Sequence, residues 1–334
     1  MVSTAEDEEA ATAANTLSAL EAEAYVEALA PLRLDEYGSP KWHQQHEYLE
    51  KLNLQSHYNI IHRGDEFVKE ALVDLDKMPT VIHELIAAEI WKHKVWPMIE
   101  ADISEHSRIR AYNCLYHEAT IAALIEATFF HSDACEAAGE RAMEMVDYCA
   151  RKVHWLVTRP PPSTKARSTK EIIAEAEDEV ESLKVQADEI NFNCAMVALT
   201  MLRYLTDHMH ALHVSVAQRL VKHHDFVASL AALLDIAPWK KTEKTVIETA
   251  DEENEGKTKK HKTTRHKVFE DNKWNMVEPG SRVICKPEAQ VWLALYNLIM
   301  SAGQAATGMG YPMDNSRKVR DPTTLDCPPP TRWP

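Results

Sequence analysis

Apolar residues recur at helical spacing along most of the chain, and most densely over residues 112–157. In the first half of that stretch Leu115, Ala119, Ala122, Ile125 and Phe129 share one face, with Ile121, Leu124 and Thr128 beside them. So wide an apolar face predicts a helix buried on more than one side. His131-Ser132-Asp133 breaks the pattern. Ser132 is the expected N-cap of a short following turn, and Asp133 and Glu136 suit its dipole. Beyond Gly139, Ala142, Val146, Cys149, Val153 and Leu156 step by four and three, a single buried stripe. These two helices need neighbours, which the pattern places before residue 100 and after residue 170.

The flanking pattern supplies them. A first helix is expected over 15–29, with Leu17, Leu20, Ala24 and Ala28 as its apolar stripe. After the Gly38-Ser39-Pro40 turn, residues 42–55 form a second, with Trp42, His46, Leu49 and Leu52 inward. A short helix over 65–75 follows, then one opened by Pro79, carrying Val81, Leu85, Ala88, Ile90, Trp91 and Val95 and stopped by Pro97. Three prolines mark a linker at 159–170. Ser168-Thr169-Lys170-Glu171 is a capping box for a long helix, whose register runs from Ile173 through Ile190 and Cys194 to Tyr204. Shorter helices follow Ser215 and Asp225, and a last one starts at Pro287 with Val291, Trp292, Leu295, Leu298 and Ile299. Residues 240–267 read as a charged loop, first acidic and then basic, and 268–277 as a small β-hairpin around Asp271-Asn272.

Composition narrows the fold class. Eight glycines in 334 residues are too few for a turn-rich β architecture. The expected class is therefore all-α: an irregular armadillo- or HEAT-like helical stack with one long helix and the small hairpin. The domain reading is a disordered acidic segment at 1–14, a helical domain at 15–300 and an unstructured proline-rich tail at 301–334, which holds six of the sixteen prolines. A net charge of −15 argues against general nucleic-acid binding. No uncharged run reaches the length of a membrane span, so membrane insertion is not expected. The six cysteines form no C-x-x-C pair and read as reduced core thiols of a cytoplasmic protein.

Candidate chemistry is sparse. His43, His46 and Glu47, with Glu50 one turn on, do not match H-E-x-x-H. That helix reads instead as a solvated or partner-facing polar side, with Gln44, Gln45, Glu47 and Glu50 as its candidate protein-binding residues. Asp207, His208, His210 and His213 would chelate a metal only if their helix frayed. His117-Glu118 reads as a buried hydrogen-bonded pair rather than a proton relay. The basic run 257–267 reads as a solvated loop that balances the acids upstream. The residues therefore point to an interaction scaffold, with no catalytic residue, no metal site and no cofactor. A coiled-coil dimerisation protein built on 171–205 is the alternative, and a metal-dependent enzyme is the third reading.

Seven stretches, EAEAYVEAL, KWHQQHEYLEKLNLQ, MPTVIHELIAAEIWKHKVWP, HEATIAALIEATFFH, VDYCARKVHWLV, LRYLTD and QVWLALYNLIMS, come in order between residues 21 and 301. Together they resemble the family of zinc finger MYND domain-containing protein 10, cytoplasmic assembly factors for ciliary dynein arms. The family continues with further helices and a MYND zinc finger of clustered Cys and His. This chain has no such cluster after Met300 and reads as a truncated form. The resemblance implies a co-chaperone scaffold acting through protein–protein contacts in the cytoplasm, centriolar satellites or the cilium base. It implies as partners a leucine-rich-repeat assembly factor, an FK506-binding prolyl isomerase, the ninety-kilodalton heat-shock chaperone and axonemal dynein chains. The chain itself is expected to be a monomer.

Overall fold

The computed structural model describes residues 16–102, 107–160, 167–168, 179–250, 258–280 and 284–300. The acidic segment 1–14, most of the linker, the opening turns of the long helix and the proline-rich tail lie outside the described residues. What is described is helical almost throughout, with one small sheet, in keeping with an all-α helical stack. No helix among the described residues is long and apolar enough to cross a membrane. The chain divides into two units: residues 1–148 with 208–217, and residues 149–207 with 218–334.

In the first unit, α1 (Ala19–Ala28) is N-capped by Ser18, whose hydroxyl accepts from Glu21 N while the Glu21 carboxylate accepts from Ser18 N. This box starts the helix four residues later than expected. It also turns Ala22 and Val26 inward and leaves Leu20, Ala24 and Ala28 exposed. Half of the expected stripe was alanine, which buries little area. The larger Val26, followed by Leu29 and Leu32, sets the face instead.

Ser39 caps α2 (Pro40–His62), with Pro40 in its first turn, and Arg63 ends it in the left-handed region. Next come α3 (Phe67–Asp74) and α4 (Met78–Ile90). Pro97 does not stop the chain's helical course as expected. A π-helical turn at Trp91–Val95 leads straight into α5 (Trp96–Ile99). Pro97 has no N–H to continue the α pattern, and the wider turn absorbs that loss.

The centre of the unit is α6 (Arg108–Phe129), which α2 and α4 both pack against, so it is buried on several sides. Its partner α7 (Ser132–Ala137) takes His131, not Ser132, as its cap residue. Asp133 still serves the first turn, accepting from Ala134 N at 2.9 Å. The division between units falls inside α8 (Ala142–Thr158).

In the second unit, the Lys152 ammonium donates to Asn191 Oδ1 at 2.9 Å and Arg159 pairs with Asp188, joining the end of α8 to α9 (Glu179–Asp207). Residues 194–202 of α9 are all buried. A helix enclosed on every side has no free seam, so this half of it does not serve a two-stranded coiled coil. Two short elements, α10 (Val214–Gln218), of which Val214–Ala217 fall in the first unit, and a π-helical turn at Arg219–His223, precede α11 (Phe226–Ile236). The last helix, α12 (Lys286–Met300), packs on α9 and α11.

The charged loop expected at 240–267 is in large part strand. With β1 as Arg167–Ser168, β2 (Lys240–Ala250) and β3 (Thr258–Glu270) are antiparallel, from Lys240 opposite Val268 to Ala250 opposite Thr258. Threonine and β-branched residues favour the extended form, and the density of charge hides their alternation in the sequence. The charges themselves are placed across the ladder. Glu243 stands between Lys241 and Lys267 and pairs with both, at 2.9 and 2.7 Å, so those two lysines share one carboxylate. The expected hairpin is the end of this sheet. β4 (Lys273–Val277) returns on β3 through Asp271-Asn272, both with positive φ, as a two-residue I′ turn requires.

An aromatic knot fastens the hairpin to α9. Phe192 meets Phe269 edge-on at 5.0 Å and stacks on Trp274 at 5.5 Å, and the Lys241 ammonium lies 4.2 Å from the Trp274 ring. Trp274→Ala removes its ring contacts with Phe192 and Phe269, each worth about 0.5–1.5 kcal/mol. We expect it to lower the urea midpoint by an amount equivalent to about 1–3 kcal/mol, with hydrogen exchange rising first in β3 and β4. An unchanged midpoint would show that the hairpin does not depend on this knot.

Candidate protein-interaction surface

Along α2 two faces diverge. Trp42, Gln45, Leu49 and Leu52 recur every three or four residues and point inward, as does His46. On the other side Gln44, Glu47, Glu50, Leu54 and Ile61 are exposed. Three of the four expected binding residues, Gln44, Glu47 and Glu50, therefore lie on the surface. Gln45 does not: it is one residue, or about 100°, around the helix from Gln44, and so joins the stripe of Trp42 and Leu49. Its Oε1 accepts from Ala30 N at 3.1 Å and ties down the chain leaving α1.

The outer face is ordered by local contacts. The Gln44 amide donates to Tyr48 Oη at 2.8 Å, Tyr48 stacks on Tyr25 of α1 at 4.5 Å, and Lys51 pairs with Glu47 at 2.8 Å. The hydrogen bond from Lys51 holds the Glu47 carboxyl below its usual range. Toward the end of the helix the face turns apolar, with Leu54 63% and Ile61 74% exposed. A face that is charged at one end and apolar at the other suits a protein partner, because apolar area supplies affinity and the charges set register.

Beneath that helix lies a polar core. His46 Nδ1 is 2.8 Å from His117 Nδ1, and Trp42 stacks on the His46 ring at 5.0 Å. Burial pushes His46 down to about 4 and His117 well below its ordinary value, so the pair is neutral. His117 Nε2 is buried without a partner. A bare lone pair costs less than a bare N–H, so we assign the shared proton to His117 Nδ1, donating to His46. Glu118 accepts from Tyr148 Oη at 2.9 Å and forms an ion pair with Lys92, all three being buried. His117 and Glu118 are thus each hydrogen-bonded in the core, as expected, but to different partners. Neither reaches solvent, so these groups specify packing.

Sequence reasoning missed Glu84 and Lys92 as core residues. Glu84 had a signal, since it lies between Val81 and Ala88 on the apolar stripe of α4.

The scattered histidines do not converge. His208 Nε2 contacts Phe130 O, and His213 Nδ1 contacts Ser215 Oγ. Asp207 is engaged by Arg203 and Asn297. Among the described residues no group of three or more His, Cys, Asp or Glu is gathered in metal-binding geometry. The five described cysteines are buried and form no disulfide with one another, as expected for core thiols.

No family model matches the chain, and no solved structure does. The chain is similar to a zinc finger MYND domain-containing protein 10 homolog of Drosophila melanogaster, 29% identical over 279 residues. The match covers 83% of this chain and 57% of that relative, so the chain spans little more than half of the relative's length. The ordered helical stretches and this likeness over most of the chain make its sequence similar to that of zinc finger MYND domain-containing protein 10 homologs.

Proposed function

We propose that the chain is a protein-binding scaffold in the preassembly of axonemal dynein arms, acting in the cytoplasm by binding and not by turnover. The observation that supports this most is the likeness to the fly relative over 83% of the chain. The exposed α2 face, with Gln44, Glu47 and Glu50 leading to Leu54 and Ile61, is the surface proposed to engage partners. The partners we propose are the leucine-rich-repeat assembly factor, the FK506-binding prolyl isomerase, the ninety-kilodalton heat-shock chaperone and the dynein chains themselves.

The test is affinity purification of this chain from ciliating cells. We expect chaperone or dynein-chain partners to be recovered, and the Glu47→Arg/Leu54→Asp variant to recover several-fold less. Both side chains point outward, so circular dichroism of the variant should be unchanged. A folded wild-type chain that recovers none of these partners would overturn the scaffold reading. Undiminished recovery by the folded variant would move the contact away from α2.

A further inference from the structure

A second face, on α12, has the character of a contact that the described residues do not fill. One side of this helix, Val291, Ala294, Leu295 and Leu298, is buried against α9 and α11. The other side is also apolar: Trp292, Leu293, Tyr296, Ile299 and Met300 are 52, 43, 60, 39 and 56% exposed. From Ala289 to Met300 there is no charged residue. Helices that are apolar all round are buried on both sides. Trp292 and Tyr296 stand one turn apart, and both belong to residue types that anchor contacts. Their spacing, with Ile299 next, presents the ridge that an amphipathic helix packs along.

The occupant is indicated by length. The fly relative shares 57% of its length with this chain and so carries a large segment outside the match. We infer that the Trp292–Tyr296–Ile299 face binds an amphipathic helix with an uncharged apolar stripe, of the kind supplied by the part of the longer fly relative that lies outside this match. The stripe must be uncharged because α12 offers no counter-charge along it, and a charge buried there would be desolvated without a partner. This inference rests on the likeness to the longer fly relative and not on the dynein-assembly reading.

The probe is a set of overlapping synthetic peptides covering the unmatched part of the fly relative, labelled for fluorescence anisotropy and titrated with the full chain. We expect one or two neighbouring peptides to bind and to become helical on binding. Tyr296→Asp should weaken that binding at least about tenfold, a typical loss when a contact anchor is made polar, while Tyr296→Phe keeps it. Because Tyr296 is exposed, its variants should melt like wild type. No binding by any peptide to the folded chain, or binding that Tyr296→Asp leaves intact, would overturn the inference. Concentration-dependent self-association abolished by Tyr296→Asp, without peptide binding, would identify a second copy as the occupant and overturn it equally. Failure of the dynein-partner purification would leave these outcomes unchanged, so the two readings fail separately.

Discussion

Glu118→Ala is expected to be the most damaging single change in the first unit, costing about 3–5 kcal/mol, the range for breaking a buried ion pair from one side. The carboxylate is held in α6 between Tyr148 Oη and the Lys92 ammonium, with all three side chains out of water. Truncation removes the Lys92 counter-ion and the acceptor for Tyr148 without giving either group access to solvent. Against a margin of about 5–15 kcal/mol for a typical domain, such a loss lowers soluble yield steeply. The paired replacement Lys92→Met/Glu118→Leu removes both charges and keeps much of the volume. It is expected to recover most of the loss, because the desolvation cost of the two ions goes with them. Urea denaturation of the two variants checks this. If Glu118→Ala unfolds at the wild-type midpoint, or the double variant is no better than the single one, the ion pair does not hold these helices together.

The same residues show what a single sequence tells and where it goes quiet. The apolar stripes of α6 and α8 were legible because large side chains recur there at helical spacing: Leu115, Ile125 and Phe129 in one, Val146, Val153 and Leu156 in the other. On α1 the stripe was misread because alanine occupies both faces and its periodicity carries little weight. The β2–β3 ladder was hidden for another reason. Glu243 pairs with Lys241 on its own strand and with Lys267 across the ladder, and so dense a run of charge leaves no hydrophobic alternation to read. The buried ions Lys92 and Lys152 were invisible as such, since the partner that admits an ion to a core comes from a distant helix. On the candidate surface, helical geometry alone separates Gln45 from Gln44, but only once the inward face of α2 is fixed by Trp42 and Leu49.

Glu84→Gln is expected to stabilise the protein above neutral pH and to do little in acid. Glu84 lies buried on α4, and its Oε1 accepts from Leu32 N at 2.7 Å. It is one of several clamps on the segment between α1 and α2. His83 Nε2 meets Leu32 O, Gln45 takes Ala30 N, and Lys77 Nζ donates to Glu27 O and Leu29 O. Burial raises the Glu84 carboxyl from 4.5 to about 7, with the Leu32 hydrogen bond opposing the shift. The folded chain therefore holds a proton here that the unfolded chain releases near pH 4.5. The stability linked to that proton is fully present below pH 4.5 and is lost as pH rises through about 7. At about 1.4 kcal/mol per pKa unit, the loss is on the order of 3 kcal/mol. His46, lowered to about 4, and His117, lowered well below its ordinary value, act in the opposite sense, because their neutral forms are favoured in the fold and acid below their ordinary value destabilises them. Glutamine keeps the acceptor for Leu32 N and cannot ionise, so the variant isolates the carboxyl from the two imidazoles. Thermal melts at pH 5 and pH 8 decide the matter. The variant should melt clearly above wild type at the higher pH and close to it at the lower. An equal shift at both values would assign the effect to packing and not to the charge on Glu84.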